Sequence, residues 1–359
     1  MARFTDVFSD ETKRGYKIQS SEYLPSGKYP IIDQGQAQIV GYTNLENGLF
    51  TDVPAIIFGD HTRIVKYVDS PFFLGADGVK VLKSKVGDAD YKYLFYCLQN
   101  AKIPNTGYNR HFKWLKEVDV PLPPLDEQRK IAAVLDKVSS QIVKRKQQLD
   151  KLDELVKSRF IEMFGDINVN DKGWTIQPLG ELCTIVRGGS PRPIEKFLGG
   201  DVPWIKIGDA TDGESIYLHS TKEHIIREGV SKSRMVKAGS LIFANCGVSL
   251  GFARIITFDG CIHDGWLAME DIDARLDKVF LLQALNQMTE HFRKIAPAGT
   301  QPNLNTAIMK AYKQIIPPMK LQKDFISFVE QTDKSKLAIQ KSLEKLEILK
   351  KALLQKYFG

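Results

Sequence analysis

The sequence predicts an α+β protein in which two globular segments alternate with two long helices. Three observations lead to this prediction: residues 317–359 repeat residues 123–165, each copy carries a continuous apolar seam, and the segments outside the copies mix short strand-like runs with single helices. A chain of 359 residues is long enough for two or three units that each bury a core. We therefore expect a molecule with an internal pseudo-twofold repeat.

The two copies of the repeat align without a gap, at the offset of 194 residues that separates Gly165 from Gly359. Both copies start with a Pro-Pro pair and end in Phe-Gly, and Gln128 falls on Gln322. Chance rarely keeps so many matches in one frame. The repeat therefore predicts a duplicated structural element.

Each copy has the pattern of one long helix. Proline is confined to the start of the copy, where a helix tolerates it. Steps of four and three residues meet apolar side chains at eight of ten positions in the first copy, which is typical of a coiled coil. The second seam is weaker in its first half, which predicts looser or wider packing there. The predicted seam residues are Ile131, Leu135, Ile142, Leu149 and Leu152 in the first copy and Ile339, Leu343, Leu346 and Leu353 in the second.

A helix of about 38 residues extends roughly 57 Å. This length fits a spacer between two globular units better than a core helix. A coiled coil formed between two chains is the alternative interpretation, but two matched seams in one chain can also pair with each other.

The globular segments, residues 1–122 and 166–316, each contain short β-type runs and one clear helical pattern. This mixture indicates α+β units. Their phrases correspond only loosely, as expected of two units that recognise different things. The predicted elements are strands at 55–58, 64–68 and 79–82 and a helix at 91–99 in the first segment, and strands at 204–207, 241–243 and 252–257 and a helix at 279–292 in the second.

Composition is that of an ordinary globular protein, with 43% hydrophobic and 26% charged residues. No apolar run reaches transmembrane length and the start of the chain lacks the features of a signal peptide, so we expect a cytoplasmic protein that has no membrane partner. The four cysteines form no CxxC pair and lie beside no histidine cluster, which predicts free thiols. The net charge of +7 permits phosphate binding.

Common catalytic motifs are missing from the sequence. We find no GxxxxGK[ST] phosphate loop, no glycine-rich cofactor turn, no Asn-Pro-Pro-Tyr methylation motif and no HExxH. We therefore expect a non-catalytic chain that needs neither a cofactor nor a metal.

Two loops of the first segment carry side chains suited to DNA. Residues 59–63 would present a histidine and an arginine, although a simple strand-end turn is equally consistent with the pattern. Residues 107–114 interleave basic, amide and aromatic side chains, which suit phosphates and base edges; an ordinary loop with buried aromatic residues is the alternative. The candidate DNA-contacting residues are His61, Arg63, Lys66, Tyr108, Asn109, Arg110, His111 and Lys113.

Two loops of the second segment are the corresponding candidates. Residues 187–192 form a flexible turn with two arginines, and residues 299–305 close the segment with amide side chains that suit adenine edges. Solvated loops are the alternative in both cases. The turn at 263–266 is predicted to belong to the core. The candidate DNA-contacting residues are Arg187, Ser190, Arg192, Gln301, Asn303 and Asn305.

Several phrases of the chain resemble the specificity subunits of Type I restriction–modification systems. Pro-Leu-Pro-Pro-Leu-Asp-Glu-Gln at 121–128, followed by a seam helix, resembles the spacer of that family. Gly-Asp-His-Thr-Arg at 59–63 and Pro-Trp-Ile at 203–205 are similar to phrases in its globular domains. The likeness covers essentially the whole chain. One departure is Met-Lys-Leu-Gln at 319–322, which replaces Leu-Asp-Glu-Gln and puts the contacts at that helix start in doubt.

The resemblance implies two target-recognition domains, residues 1–122 and 166–316, at opposite ends of an antiparallel helical pair, residues 123–165 and 317–359. Each domain would read one half of an interrupted double-stranded DNA target, and the helices would set the gap. Two modification subunits that methylate adenine would dock on the helices, and restriction subunits would supply ATP-driven translocation and cleavage.

Three other functions compete with this interpretation. A protein–protein scaffold would bind no nucleic acid. A self-contained nuclease or methyltransferase would need the missing motifs. A specificity subunit of a related Type II system would work with a fused catalytic partner.

Overall fold

A computed structural model of the chain describes residues 1–75, 77–210, 216–247, 249–297 and 303–359. The chain divides into two compact units. Unit 1 comprises Met1–Lys146 and Ser342–Gly359, and unit 2 comprises Gln147–Lys341. Each unit therefore contains one globular region and one part of each long helix.

Unit 1 combines small sheets with short helices, labelled here in chain order. Its elements are β1 (Ala2–Arg3), α1 (Phe4–Val7), β2 (Phe8–Asp10), β3 (Tyr29–Ile32), β4 (Gly41–Thr43), β5 (Ala55–Gly59), β6 (Val65–Val68), β7 (Phe73–Leu74), β8 (Val79–Ser84), α2 (Tyr91–Gln99), α3 (Phe112–Leu115), β9 (Asp119–Val120) and the start of α4 (Leu125–Phe164). One antiparallel sheet has the order β2-β8-β5-β6. A second has the order β4-β3-β7, in which β3 and β7 run parallel.

Strand β5 is buried along its whole length, which explains its uninterrupted apolar sequence. Ile56 and Phe58 pack into the cluster formed with α2 and the start of α4. Ala55 and Ile57 point to the other face and pack into a second cluster. Because successive side chains of a strand alternate between faces, a strand with a core on both sides must be apolar throughout.

Helix α2 has the bounds that the sequence predicts. Its side chains Tyr93, Leu94 and Cys97 are buried in the core of unit 1. Asp90 caps the helix, since its carboxylate accepts the Tyr93 backbone N–H at 2.8 Å.

Unit 2 repeats this architecture with additional strands. Its elements are β10 (Thr175–Pro178), α5 (Leu179–Leu182), β11 (Thr184–Arg187), β12 (Leu198–Ile205), β13 (Tyr217–Leu218), β14 (Glu223–Ile225), α6 (Arg227–Val230), β15 (Arg234–Val236), β16 (Leu241–Ala244), β17 (Ala253–Ile256), β18 (Gly260–Ile262), β19 (Trp266–Glu270), α7 (Lys278–Gln287), α8 (Thr289–Ile295), α9 (Thr306–Ala311), β20 (Lys313–Ile316) and the start of α10 (Met319–Phe358).

The sheets of unit 2 follow the pattern of unit 1. The order β11-β19-β16-β17-β13 extends the order β2-β8-β5-β6 by one edge strand. The order β14-β12-β18-β15 contains the parallel pair β12 and β18, which corresponds to β3 and β7. The predicted α+β class and internal repeat are thereby confirmed.

The helix predicted over 279–292 is two helices, α7 and α8. The chain turns at Met288, whose φ of −92° and ψ of 9° depart from helical values. The Thr289 hydroxyl donates to the carbonyls of Asn286 at 2.9 Å and Gly251 at 3.0 Å, and so holds the break against the sheet.

The long helices α4 and α10 have 40 residues each, which corresponds to about 60 Å. In unit 1, Lys146 of α4 forms an ion pair with Glu347 of α10 at 3.2 Å. In unit 2, the Phe160 ring of α4 lies 5.4 Å from the Phe325 ring of α10. In each unit the later part of one helix meets the earlier part of the other, so the pair is antiparallel.

The predicted seam residues are shielded from solvent to different degrees. Ile131 and Leu135 are buried, and the other seven are half-buried. Of the looser or wider packing expected in the first half of α10, the looser packing is wrong and the structure shows the wider contact. Phe325, Val329 and Thr332 are buried there, because the helix packs on the core of unit 2 as well as on α4.

A repeated glutamine fixes the start of each long helix. The Gln128 amide oxygen accepts the Asp90 backbone N–H at 3.0 Å, and its amide nitrogen donates to the Pro123 carbonyl at 2.8 Å. Gln322 does the same with Asp277 at 2.8 Å and with Pro317 at 2.7 Å. The helix-start contacts are therefore kept at α10 despite the changed sequence before Gln322.

Within the described ranges, no helix is long and apolar enough to cross a membrane. The same residues bring together no cluster of three or more His, Cys, Asp or Glu side chains able to hold a metal ion. Cys97, Cys183 and Cys261 are buried free thiols, and Cys246 is half-buried and also free.

Candidate nucleic-acid interface

The turn between β5 and β6 presents the first candidate loop. The Gly59 N–H donates to the Ile64 carbonyl at 2.8 Å, and the Arg63 N–H donates to the Gly59 carbonyl at 2.7 Å. A Cβ on Gly59 would lie 2.2 Å from the Thr62 hydroxyl oxygen, so the tight turn requires glycine. Arg63 adopts a positive φ of 62°, which completes the reversal of the chain.

Asp60 joins this turn to the loop that closes the globular region. Asp60 is buried, and its carboxylate accepts the Phe112 backbone N–H at 2.7 Å. Its carbonyl accepts the His111 backbone N–H at 2.7 Å. The Arg63 guanidinium also donates to the Ile103 carbonyl at 3.3 Å. These bonds bring the two predicted loops of the first segment together.

The joined loops expose a set of aromatic and basic side chains. Tyr108 is 88% exposed, and its ring stacks on His61 with centroids 4.7 Å apart and planes 9° apart. Asn109, Arg110 and Lys113 are exposed beside it. Asn109 uses its amide nitrogen to bond the Thr106 carbonyl at 2.5 Å, which leaves its amide oxygen as the group for a ligand.

Lys66 and His111 do not lie on this surface, contrary to the sequence-based expectation. Lys66 is 3% exposed, and its ammonium donates to the carbonyls of Asp33 at 2.8 Å and Ala37 at 2.5 Å. Burial lowers the pKa of Lys66, and the nearby carboxylate of Asp33 only partly opposes this. His111 is fully buried, with its ring nitrogen Nδ1 3.0 Å from the Asp60 carbonyl. Both side chains therefore support the loops from the interior of unit 1 and do not face a ligand.

Sequence reasoning missed Gln34, which supports the same loops. Its amide oxygen accepts the His61 backbone N–H at 3.1 Å, and its amide nitrogen donates to the Asp77 carbonyl at 2.9 Å. Gln34 lies two residues after β3, where the parallel pair β3 and β7 ends, and the sequence analysis predicted neither strand of that pair.

In unit 2, Asp264 organises the loop that carries the two arginines. Its carboxylate accepts the Ser190 hydroxyl at 2.8 Å and lies 3.5 Å from the Arg192 guanidinium. Its carbonyl accepts the Arg187 Nε–H at 3.1 Å. Arg187 and Arg192 are exposed, so the charges they carry face solvent. The turn at 263–266, predicted as core, buries Gly265 and Trp266, whereas His263 and Asp264 are half-buried and Asp264 faces the loop.

The electrostatics of this turn depend on its partial burial. Burial would raise the pKa of Asp264, but the Ser190 hydrogen bond and the neighbouring cations outweigh burial and lower it. Burial lowers the pKa of His263, and the carboxylate of Asp264, 3.0 Å away, opposes the shift. Asp264 is therefore a carboxylate at neutral pH, and it keeps the Ser190 hydroxyl oriented as a donor toward itself.

An open cavity of about 490 Å³ lies beside this loop. Trp204, His263 and the segment 190–195 line it, and the Trp204 and His263 ring centroids are 5.6 Å apart. The cavity therefore offers aromatic surface next to the exposed Arg192.

The closing loop of unit 2 is described only from Asn303 onward, and Gln301 lies outside the described residues. Asn303 forms a β-bridge with Cys246, and its amide oxygen is buried with no hydrogen-bond partner. Asn305 caps α9, because its side-chain oxygen accepts the Ile308 N–H at 2.9 Å. Its oxygen is thus already used for helix capping.

Asn245 occupies in unit 2 the position that Asp60 occupies in unit 1. The Asn245 N–H donates to the Gly265 carbonyl at 2.9 Å, as Asp60 does to Gly78 at 2.7 Å. The Asn245 carbonyl accepts the Leu304 N–H at 2.8 Å, matching the bond between Asp60 and His111. The same backbone frame therefore ties the closing loop in both units, while the side chains it presents differ.

A family model described as the Type I restriction modification DNA specificity domain matches residues 1–154 and 171–350 of this chain. The specificity subunit of the Type I restriction enzyme EcoR124I/EcoR124II from Escherichia coli is 24% identical, and the alignment covers 66% of this chain and 61% of that subunit. The chain thus matches less than two thirds of the length of that relative. The MjaVIII specificity subunit of Methanocaldococcus jannaschii is 23% identical over 97% of this chain and 86% of the relative.

The fold is also similar to a solved structure. The S subunit of a Type-I restriction-modification system from M. genitalium aligns with a TM-score of 0.59 at 18% identity, covering 99% of this chain and 95% of that chain. The likeness extends through both globular regions and both long helices. With the family match over most of its length, the chain belongs to the Type I restriction–modification DNA specificity family.

Proposed function

We propose that the chain reads a bipartite, interrupted double-stranded DNA target for a Type I restriction–modification complex and carries no catalysis itself. One observation carries this proposal. The same backbone frame, centred on Asp60 in unit 1 and Asn245 in unit 2, supports loops with different exposed side chains. Two readers of different half-sites need this combination of a common scaffold and divergent loops.

The exposed side chains are chemically suited to the two parts of DNA recognition. Arg110, Arg187 and Arg192 are positively charged and exposed, so they can neutralise phosphates. The free amide oxygen of Asn109 can accept a hydrogen bond from a base edge in the major groove. Affinity would then come mainly from the arginines and sequence discrimination from the polar groups.

We assign target recognition to residues 1–122 and 166–316, and the spacer to residues 123–165 and 317–359. The spacer would also dock two modification subunits, with restriction subunits joining the assembly. Exposed apolar side chains on both long helices support a docking role, since such side chains are costly in water. They are Val134 at 41% exposure, Val143 at 53%, Leu155 at 47%, Ile161 at 59%, Leu337 at 39%, Ile348 at 69% and Leu349 at 45%.

The salt dependence of binding tests the proposal. The chain is assembled with a modification subunit, and DNA affinity is measured by fluorescence anisotropy between 50 and 300 mM salt. The double variant Arg187→Ala/Arg192→Ala should flatten the plot of log affinity against log salt by about 1.8, because each lost phosphate contact removes about 0.9 from the slope. Lys237→Ala, which removes an exposed cation paired with Asp259, is the control and should leave the slope unchanged.

Salt-independent binding by the unmodified complex would contradict the proposal and favour a protein–protein scaffold. An equal change of slope in the Lys237→Ala variant would show that the arginine loop has no special part in binding. If Arg110→Ala weakens recognition of only one half of the target, that result would support two separate readers.

A further inference from the structure

We infer that Tyr108, backed by His61, forms a platform on which a nucleobase stacks after it has lost a neighbour in the DNA helix. The inference rests on the proposed function and specifies the ligand of the unit 1 loops. It goes beyond phosphate and base-edge contacts, because it requires a base whose flat face is accessible.

The geometry of the pair is that of a platform. The Tyr108 and His61 rings are stacked, with nearly parallel planes at an angle of 9° and centroids 4.7 Å apart. One face of the Tyr108 ring is thus covered by the imidazole. Because the residue is 88% exposed, its other face is open to solvent. A planar partner fits an open aromatic face of this kind.

His61 is held from three sides, so it can back the tyrosine ring. Its backbone N–H donates to the Gln34 amide oxygen at 3.1 Å. The adjacent Thr62 hydroxyl donates to the Gln34 carbonyl at 2.6 Å. On its other side, Asp60 is tied to Phe112 at 2.7 Å. These bonds fix the backbone that carries the imidazole before any ligand arrives, which lowers the entropic cost of stacking.

The charges around the platform favour a nucleotide over an apolar partner. Arg110 is exposed two residues from Tyr108. Lys17 forms an ion pair with Asp77 at 2.5 Å and lowers its pKa, and the charge of Arg110 adds a smaller effect in the same direction. A base stacked on Tyr108 would bring its own phosphate toward the exposed Arg110.

A base within an intact duplex cannot use the platform, because both of its faces are covered by neighbouring pairs. A base whose neighbour has been extruded exposes one face and can use it, and unstacking has a cost that a protein ring can offset. Removal of an aromatic ring that stacks on a base lowers affinity about 5- to 150-fold.

The platform is tested with the assembled complex and duplexes that carry its target, found by methylation mapping. The fluorescent purine 2-aminopurine, which is dim when stacked, is placed in turn at each purine of the half-site read by unit 1. The Tyr108→Ala variant should raise the fluorescence of one position several-fold and weaken binding about 10-fold. The Tyr108→Phe variant, which keeps the ring, should behave like the unmodified protein in both measurements.

The inference is overturned if no position changes its fluorescence between the unmodified complex and the Tyr108→Ala complex while both still bind the duplex. The proposed function would survive that result. If the unmodified complex fails to bind the duplex, the proposed function and the platform both fail. If Tyr108→Ala instead releases the modification subunit during gel filtration, the ring contacts a protein partner and the platform is also overturned.

Discussion

Replacing Gln322 with leucine should destabilise unit 2 by removing the bonds that fix the start of α10. Gln322 is fully buried. Its amide oxygen accepts the Asp277 N–H at 2.8 Å, and its amide nitrogen donates to the carbonyls of Pro317 at 2.7 Å and Arg275 at 2.8 Å. Leucine has a similar volume and can make none of these bonds, so the substitution leaves their three backbone partners unpaired.

The magnitude follows from the number of bonds. With each net hydrogen bond contributing about 1 kcal/mol, the loss of three lowers the free energy of unfolding of unit 2 by about 3 kcal/mol. Gln128 makes two such bonds in unit 1, so Gln128→Leu should cost about 2 kcal/mol there.

Hydrogen exchange is the suitable assay, because a chain of two units need not unfold in a single step. The amides of α7 (Lys278–Gln287), which lies in the core of unit 2, should exchange about 150-fold faster in Gln322→Leu, since each 1.4 kcal/mol is about tenfold. Gln340→Leu, at an exposed position of the same helix, is the matched control and should change stability by less than about 0.5 kcal/mol. Equal exchange in the two variants would refute the reasoning.

Three further predictions concern the loops and helices. The lowered pKa of His263 means that the unfolded chain binds more protons near pH 6.5, so unit 2 should lose stability as pH falls through about 6.5, and His263→Gln should flatten that dependence in urea unfolding. Asp60→Ala should lower the free energy of unfolding of unit 1 by about 2 kcal/mol, as measured by hydrogen exchange of the Phe112 amide. Asp60→Asn should keep most of that stability. Deleting seven residues from each of α4 and α10 should shorten the methylated gap by about 3 base pairs, because each helix loses about 10 Å. An unchanged gap, an equally stable Asp60→Ala or an unaltered pH dependence would contradict the respective argument.

The long helices were predictable because the sequence signals for them are local and occur twice in the chain. Proline marks each start, glycine follows each end, and apolar residues recur with the seam period, less regularly in the first half of the second copy. The matching offset of Gln128 and Gln322 also pointed to a shared role, and both bond the N-terminal end of a core helix. The strands around β5 and β16 were predictable because their buried runs are apolar on both faces.

The site was less predictable because burial of a polar side chain depends on residues far away in sequence. Lys66 and His111 are residue types typical of a DNA-binding surface, yet both are buried against backbone carbonyls of distant segments. The break at Met288 depends on a bond from Thr289 to Gly251, which no helical pattern reveals. Asp264 was assigned to a core turn because its partner, Ser190, lies in another loop.

Methylation mapping of a domain swap tests the central claim most directly. A methylation-free host expresses the modification subunit alone, with this chain, or with a chimera in which residues 1–122 come from another member of the family. We predict a bipartite adenine-methylated motif that appears only with this chain, and a chimera motif with one half changed and the other half and the gap retained. No motif from a folded complex, or a chimera that changes both halves, would contradict two independent readers on a common spacer.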